Sequence, residues 1–144
     1  MITISPYLNF PGNTEEAFNF YKAVFNGEFL GLQRFGEIPS EQPLSESDAQ
    51  KIMHASLSLG NGVVLMATDV LESMGQKLQI GDNISLSINT ESKEEAHRIF
   101  HALSESGNVD MPIADTFWGA YFGMFTDKFG VRWMVNYDYP STEG

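Results

Sequence analysis

Thr116-Phe117-Trp118-Gly119-Ala120-Tyr121-Phe122-Gly123-Met124-Phe125-Thr126-Asp127-Lys128-Phe129-Gly130-Val131-Arg132-Trp133-Met134 reads as a β-hairpin. Two segments of alternating aromatic residues flank the tetrapeptide Asp127-Lys128-Phe129-Gly130. Aspartate suits the first position of a type I turn, and glycine takes the positive φ that closes a four-residue hairpin loop. Both tryptophans of the chain lie in this block.

The end of the block has a counterpart upstream: Gly62-Val63-Val64-Leu65-Met66 matches Gly130-Val131-Arg132-Trp133-Met134. The likeness extends outward. Asn13-Thr14-Glu15-Glu16-Ala17 and Ser92-Lys93-Glu94-Glu95-Ala96 both read as helix starts, each with a capping residue and a glutamate three positions on. Early glutamates also suit the positive end of the helix dipole. The apolar positions then correspond, Ala17, Phe20, Tyr21 and Val24 against Ala96, Ile99, Phe100 and Leu103, the spacing of a helix with one buried face. Gly27 and Gly107 are the expected C-terminal stops.

A strand precedes each helix, over Ile2–Phe10 and Asn83–Asn89. Three more follow the first helix (Glu28–Phe35, Lys51–Leu59, Val63–Thr68), with Gly60-Asn61-Gly62 as a tight turn. Three follow the second (Val109–Ala114, Gly119–Thr126, Val131–Tyr137). The order is βαβββ twice, an α+β chain forming a single domain over residues 1–144, with repeats at about 1–68 and 82–138 and a linker at about 69–81. Two segments read as irregular. Gly36–Gln50, with Pro39, Pro43 and several acids, is long enough to be a lid or binding loop. In Asp69–Gly81, Val70, Leu71 and Met74 could form a short helix or pack across a partner subunit.

Composition narrows the function classes. A hydrophobic content of 42% supports a packed core and argues against disorder. No apolar run approaches the roughly 20 residues of a membrane span, and the N-terminus lacks the pattern of a signal peptide. The absence of cysteine excludes disulfides, thiolate metal sites and cysteine catalysis. These features together predict a cytoplasmic protein. A net charge of −11 repels phosphate backbones and anionic lipid, so neither nucleic acid nor membrane is an expected partner.

Pro6-Tyr7-Leu8-x-Phe10-x-Gly12, Glu16-Ala17-x(2)-Phe20-Tyr21, Met53-His54, Leu65-Met66-x(2)-Asp69 and Trp118-Gly119-x(3)-Gly123-x(3)-Asp127-x-Phe129-Gly130-x-Arg132-Trp133 run in order along the chain. This set resembles the PhnB-like branch of the glyoxalase/bleomycin-resistance/dioxygenase superfamily, the vicinal oxygen chelate fold. The resemblance implies two βαβββ modules whose curved sheets form a cleft, often completed in a homodimer. It also implies metal ligands, typically His, Gln or Glu, on the first and last strands of each module. Counted onto this chain, those positions are Pro6, Met66, Asn83 and Met134. Proline has no donor atom, a lone Asn does not hold Zn²⁺ or Fe²⁺, and Met is too soft for hard divalent ions. Some relatives carry a methyltransferase-like label, but Gly60-x-Gly62 lies in a hairpin rather than in a nucleotide-binding strand–loop–helix.

Other residues could carry binding or chemistry. His54, mid-strand, has the near-neutral pKa of a general base or pocket hydrogen-bonder, or is a satisfied histidine on a sheet face. His97 and His101, spaced i, i+4 with Glu94 and Glu105 nearby, have a chelating spacing on the helix face that reads as solvated. Trp118, Phe122 and Trp133 are candidates for a ligand-stacking surface, with Gly119 and Gly123 leaving room beside Trp118. Arg132 could bind a carboxylate or pair with Asp127. Asp69 and Glu37 are acidic loop candidates.

The sequence therefore predicts metal-independent binding of a small organic molecule in an aromatic cleft of a homodimer, with no cofactor. Ligand contacts fall to Trp118, Phe122, Trp133, His54 and Arg132, and His54 is the candidate catalytic group. Two alternatives stand beside it: a metal-dependent lyase, isomerase or dioxygenase, and an interaction domain without a small-molecule ligand.

Overall fold

Strands β1 (Tyr7–Phe10), β2 (Glu28–Arg34), β3 (Ile52–Gly60) and β4 (Val63–Asp69) form one sheet in the order β1-β4-β3-β2. The structure, a computed structural model, describes residues 1–39 and 41–141. Strands β5 (Leu86–Asn89), β6 (Asn108–Asp115), β7 (Ala120–Thr126) and β8 (Arg132–Asp138) form the other sheet, in the order β5-β8-β7-β6. The two orders are the same, and in both the first strand runs parallel to the last. The chain divides into two compact units, Met1–Gln79 and a second beginning at Ile80, so the boundary falls within the stretch read as a linker. Among the described residues no helix is long and apolar enough to cross a membrane.

Within each unit one helix covers one sheet face. Helix α1 (Thr14–Phe25) packs on β3 and β4, burying Ala17, Phe18, Tyr21 and Val24 against Ala55, Leu57, Leu65 and Ala67. Phe18, and not Phe20, belongs to this buried face; Phe20 sits at its margin. Helix α3 (Lys93–Ser104) buries Ala96, Ile99, Phe100 and Leu103, as its spacing predicted, with Phe100 edge-on to Phe125 at 5.1 Å. Burial of each such large side chain contributes roughly 1.5–3 kcal/mol.

The helix ends differ from expectation. Ser92 caps α3 through Glu95 N–H, but Asn13 makes no side-chain cap. A carboxylate from another strand replaces it. Asp69 Oδ1, at the buried end of β4, accepts Thr14 N–H at 2.9 Å and Thr14 Oγ1–H at 2.6 Å, while Oδ2 accepts Ile52 N–H at 2.8 Å. Asp69 is thus a structural clamp joining α1, β3 and β4, not a loop candidate. Glu37 stays exposed and folds back over its own short 3₁₀ turn, accepting Arg34 N–H.

Gly27 and Gly107 do end the helices, for another reason. The left-handed residues are their neighbours Asn26 and Ser106. A Cβ on Gly27 would stand 2.6 Å from Ser58 O, and one on Gly107 2.3 Å from Thr126 O, so both are needed for close backbone approach to the sheet. The two decisive turns form as read. Gly130 N–H donates to Asp127 O at 3.0 Å with φ +91°, and Asn61 and Gly62 both have positive φ.

Strands β1 and β5 are shorter than predicted, since Ile2, Ile4 and Ile84 are exposed and outside the ladders. The irregular segments hold a short helix α2 (Glu46–Gln50) capped by Ser45 and a 3₁₀ turn at Glu72–Met74. In that turn region Leu71 is buried and Met74 exposed.

Replacing Asp69 with Ala should lower unfolding free energy by about 3 kcal/mol, because it strands buried N–H donors and uncaps α1. Asn13→Ala should cost under about 0.5 kcal/mol, since its side chain caps nothing. Urea denaturation of the two variants checks the contrast.

Candidate functional site: the helix-free sheet faces

Strand alternation divides each sheet into a helix-covered face and a helix-free one. In the first unit Ala55, Leu57, Leu65, Ala67 and Phe10 lie under α1, which leaves His54, Ser56, Met66 and Tyr7 on the other side. In the second, Tyr121, Phe125, Trp133 and Val135 lie under α3, leaving Phe122, Met124, Arg132, Met134 and Asn136.

The registers refine the expected metal positions. Tyr7 pairs with Met66 and Ser87 with Met134, so the same-face partners on the first strands are Tyr7 and Ser87. Pro6 instead contributes its carbonyl, accepting Met66 N–H at 3.1 Å, and Asn83 precedes β5. The two facing pairs are Tyr7–Met66 and Ser87–Met134. Neither thioether suits a hard divalent ion, and neither pair supplies the carboxylates or imidazoles that such an ion requires. Among the described residues no group of three or more His, Asp or Glu converges as a metal site. The residues present do not fit the metal that the fold implies.

His54 sits beside Tyr7, with Tyr7 Oη 3.1 Å from His54 Nδ1 and the rings 5.7 Å apart. The hydrogen bond leaves Nε2 uncommitted for a ligand or proton. Sequence reasoning passed over Tyr7; its alternation with buried Phe10 was the available signal.

The aromatic candidates separate. Trp118, in the turn between β6 and β7, is 55% exposed and meets Phe122 edge-on at 5.9 Å; Phe117 stacks edge-on against it from outside at 5.0 Å. Trp133 is a correction. It is 2% exposed, and its indole N–H donates to Asp127 Oδ2 at 2.8 Å, so its ring belongs to the core and offers no face to a ligand. Asp127 Oδ1 accepts Phe129 N–H and Val131 N–H, which makes this carboxylate the organiser of the β7–β8 hairpin. The glycines beside Trp118 also read differently. Gly123 lies on the covered face, where a Cβ would stand 2.5 Å from Phe100 and 2.8 Å from Ile113 Cα, whereas Gly119 is required by its φ of +90°.

Arg132 shares the helix-free face of β8. Its guanidinium reaches Asp110 at 3.8 Å, a loose pair, and its buried Nε has no hydrogen-bond partner. With Nε closed to solvent, the half-buried guanidinium would meet a carboxylate or carbonyl through its terminal nitrogens.

The loop after β2 also shapes a cavity of about 720 Å³, lined by Phe35, Ile38, Leu44, Asp48, Met53 and Met74 among others. Its Asp48 carboxylate is already engaged by Ser73 and by Lys51, and these contacts, the Ser73 hydrogen bond first, hold its pKa below the usual carboxylate range.

Comparison with known proteins places this geometry. Residues 2–136 match the sequence family described as 3-demethylubiquinone-9 3-methyltransferase. The chain belongs to this family. It is 33% identical over 141 residues to Protein YjdN of Escherichia coli K12, covering 92% of this chain and 93% of that one. Protein PA1353 of Pseudomonas aeruginosa has a similar crystal structure, with TM-score 0.85 and 43% identity over 97% of this chain and 100% of that one. The PhnB protein of Bacillus cereus follows at TM-score 0.77 and 28% identity, with 94% and 99% covered. A glyoxalase/bleomycin-resistance/dioxygenase domain from Frankia, at 12% identity and TM-score 0.65 over 96% and 98%, shares the fold alone. The chain is therefore similar to a PhnB protein and has the fold of glyoxalase/bleomycin-resistance/dioxygenase proteins.

The two tryptophans should report their placements separately. Acrylamide should quench a red-shifted emission component that Trp118→Phe abolishes, leaving the protected, blue-shifted emission of Trp133. Equal quenching of both indoles would contradict these exposures.

Proposed function

We propose that this protein binds a small organic molecule without a metal, as a cytoplasmic homodimer, and that the helix-free face of the second unit is its recognition surface. The observation that carries this reading is the exposed Trp118 ring set edge-on against half-buried Phe122, an aromatic platform on the sheet face that also carries Arg132 four residues further along the ladder. Such a platform suits a flat or aromatic ligand, and a carboxylate on an extended one could reach Arg132. Met66 and Met134 in place of hard ligands support metal independence. The Tyr7–His54 pair gives the first unit's helix-free face its own polar contact.

Methyl transfer, the activity in the family's description, finds no support in the glycines, because Gly60 and Gly62 build the β3–β4 turn. The Tyr7–His54 pair does favour a second reading, an enzyme of the superfamily's lyase, isomerase or dioxygenase kind with His54 as base. An interaction domain without a ligand is the third, and it would leave a compound screen empty.

A thermal-shift screen of small aromatic acids and cationic drugs supplies the test ligand. Trp118→Ala should weaken its binding by about tenfold or more, as loss of an aromatic anchor does, and Arg132→Gln should weaken it selectively for carboxylates. EDTA should leave the affinity unchanged. Unaltered affinity in Trp118→Ala would remove the pocket assignment, and loss of binding in EDTA would favour the enzyme reading.

A further inference from the structure

We infer that the exposed face of α3 carries a site for a borderline divalent ion, Zn²⁺, Ni²⁺ or Cu²⁺, ligated by His97 and His101 with water completing the shell. This site lies on the helix, away from the helix-free sheet face, and does not rest on the functional reading above.

Three observations converge on it. Residues four apart on a helix lie one above the other, and here the two imidazole centroids are only 4.3 Å apart with both residues exposed. His97 is held from behind, its Nδ1 2.8 Å from the hydroxyl of Tyr121, which is itself buried on β7. Metal-binding histidines commonly have this partner on the second nitrogen; with Nδ1–H donating to Tyr121 Oη, the Nε2 lone pair is left for a metal. His101 packs at 5.5 Å edge-on to the buried ring of Phe100, which restricts its orientation.

The surroundings favour a cation. Glu94 and Glu105 lie within a turn of the pair, and the chain carries a net charge of −11. Lys93, one turn before His97, lies on the Tyr121 side of the pair: its Nζ stands 4.8 Å over that ring and 4.0 Å from Asp115, whose charge offsets it. A hydrogen bond with Tyr139, then the charge of Asp115, keep Lys93 protonated above its ordinary range. Imidazole donors select Zn²⁺, Ni²⁺ and Cu²⁺ over Mg²⁺ and Ca²⁺.

The experiment is isothermal titration of untagged, metal-stripped full-length protein with Zn²⁺, and with Mg²⁺ as control. One Zn²⁺ per chain should bind, and Mg²⁺ should give no saturable heat. His97→Ala and His101→Ala should each weaken Zn²⁺ by about tenfold or more, and Tyr121→Phe, which keeps both imidazoles, by about tenfold through the lost support. Far-UV circular dichroism of the metal-free variants should match the parent, which separates a lost ligand from a lost helix. Zn²⁺ affinity unchanged in the histidine variants, or no Zn²⁺ binding by the parent, would overturn the site. The organic ligand's affinity should be the same in His97→Ala/His101→Ala as in the parent, so failure here leaves the functional reading intact and the reverse also holds.

Discussion

Each sheet is four strands wide and each unit has one long helix to cover it, so one face of the strands β3, β4, β7 and β8 is committed to a core and the other is left without a helix. Because side chains alternate strictly, this constraint assigns nearly every candidate residue without further adjustment. Trp133 and Phe125 fall under α3, and Phe122, Met124 and Met134 fall opposite. A one-residue slip would exchange the two sets and place methionines in the core and a tryptophan on the free face. The register is held by buried carboxylates. Asp69 ties the end of β4 to the starts of α1 and β3, while Asp127 ties the β7–β8 turn to the Trp133 indole. Both accept from buried donors, so removing either takes away a partner those donors use in the folded chain.

Much of the fold was legible because its signals are local. Paired glycine turns, helix faces with 3.6-residue spacing and strand alternation each need only a few neighbouring residues to read, and their repetition spells the βαβββ order twice. What escaped was non-local. The cap of α1 comes from a strand 55 residues away, so Asn13 looked sufficient when Asp69 does the work. Gly27 and Gly107 looked like left-handed stops, yet their small size serves the approach of another strand. The extents of β1 and β5 depend on their parallel partners rather than on their own apolar residues.

The candidate site was legible in its residue types and less so in its geometry. Trp118, Phe122, Arg132 and His54 have placements compatible with contacting a ligand, whereas Trp133 is withdrawn into the core by its bond to Asp127. Alternation around Phe10 moves the metal-equivalent position from Pro6 to Tyr7, and the β5–β8 register moves the other from Asn83 to Ser87. Neither shift restores a hard-metal ligand set. The superfamily fold is retained here with thioethers where carboxylates would serve a metal, and the same chain carries an imidazole pair on a different surface.

Methionine methyl groups give the most direct view of the claim that the helix-free face of the second unit receives an organic ligand and no metal. In protein labelled with ¹³C at the methionine methyls, the thermal-shift ligand should move the Met124 and Met134 resonances and leave exposed Met74 in place. Added Zn²⁺ should leave Met66 and Met134 unmoved. Ligand-induced shifts confined to Met74, or Zn²⁺-induced shifts at Met66 and Met134, would contradict it.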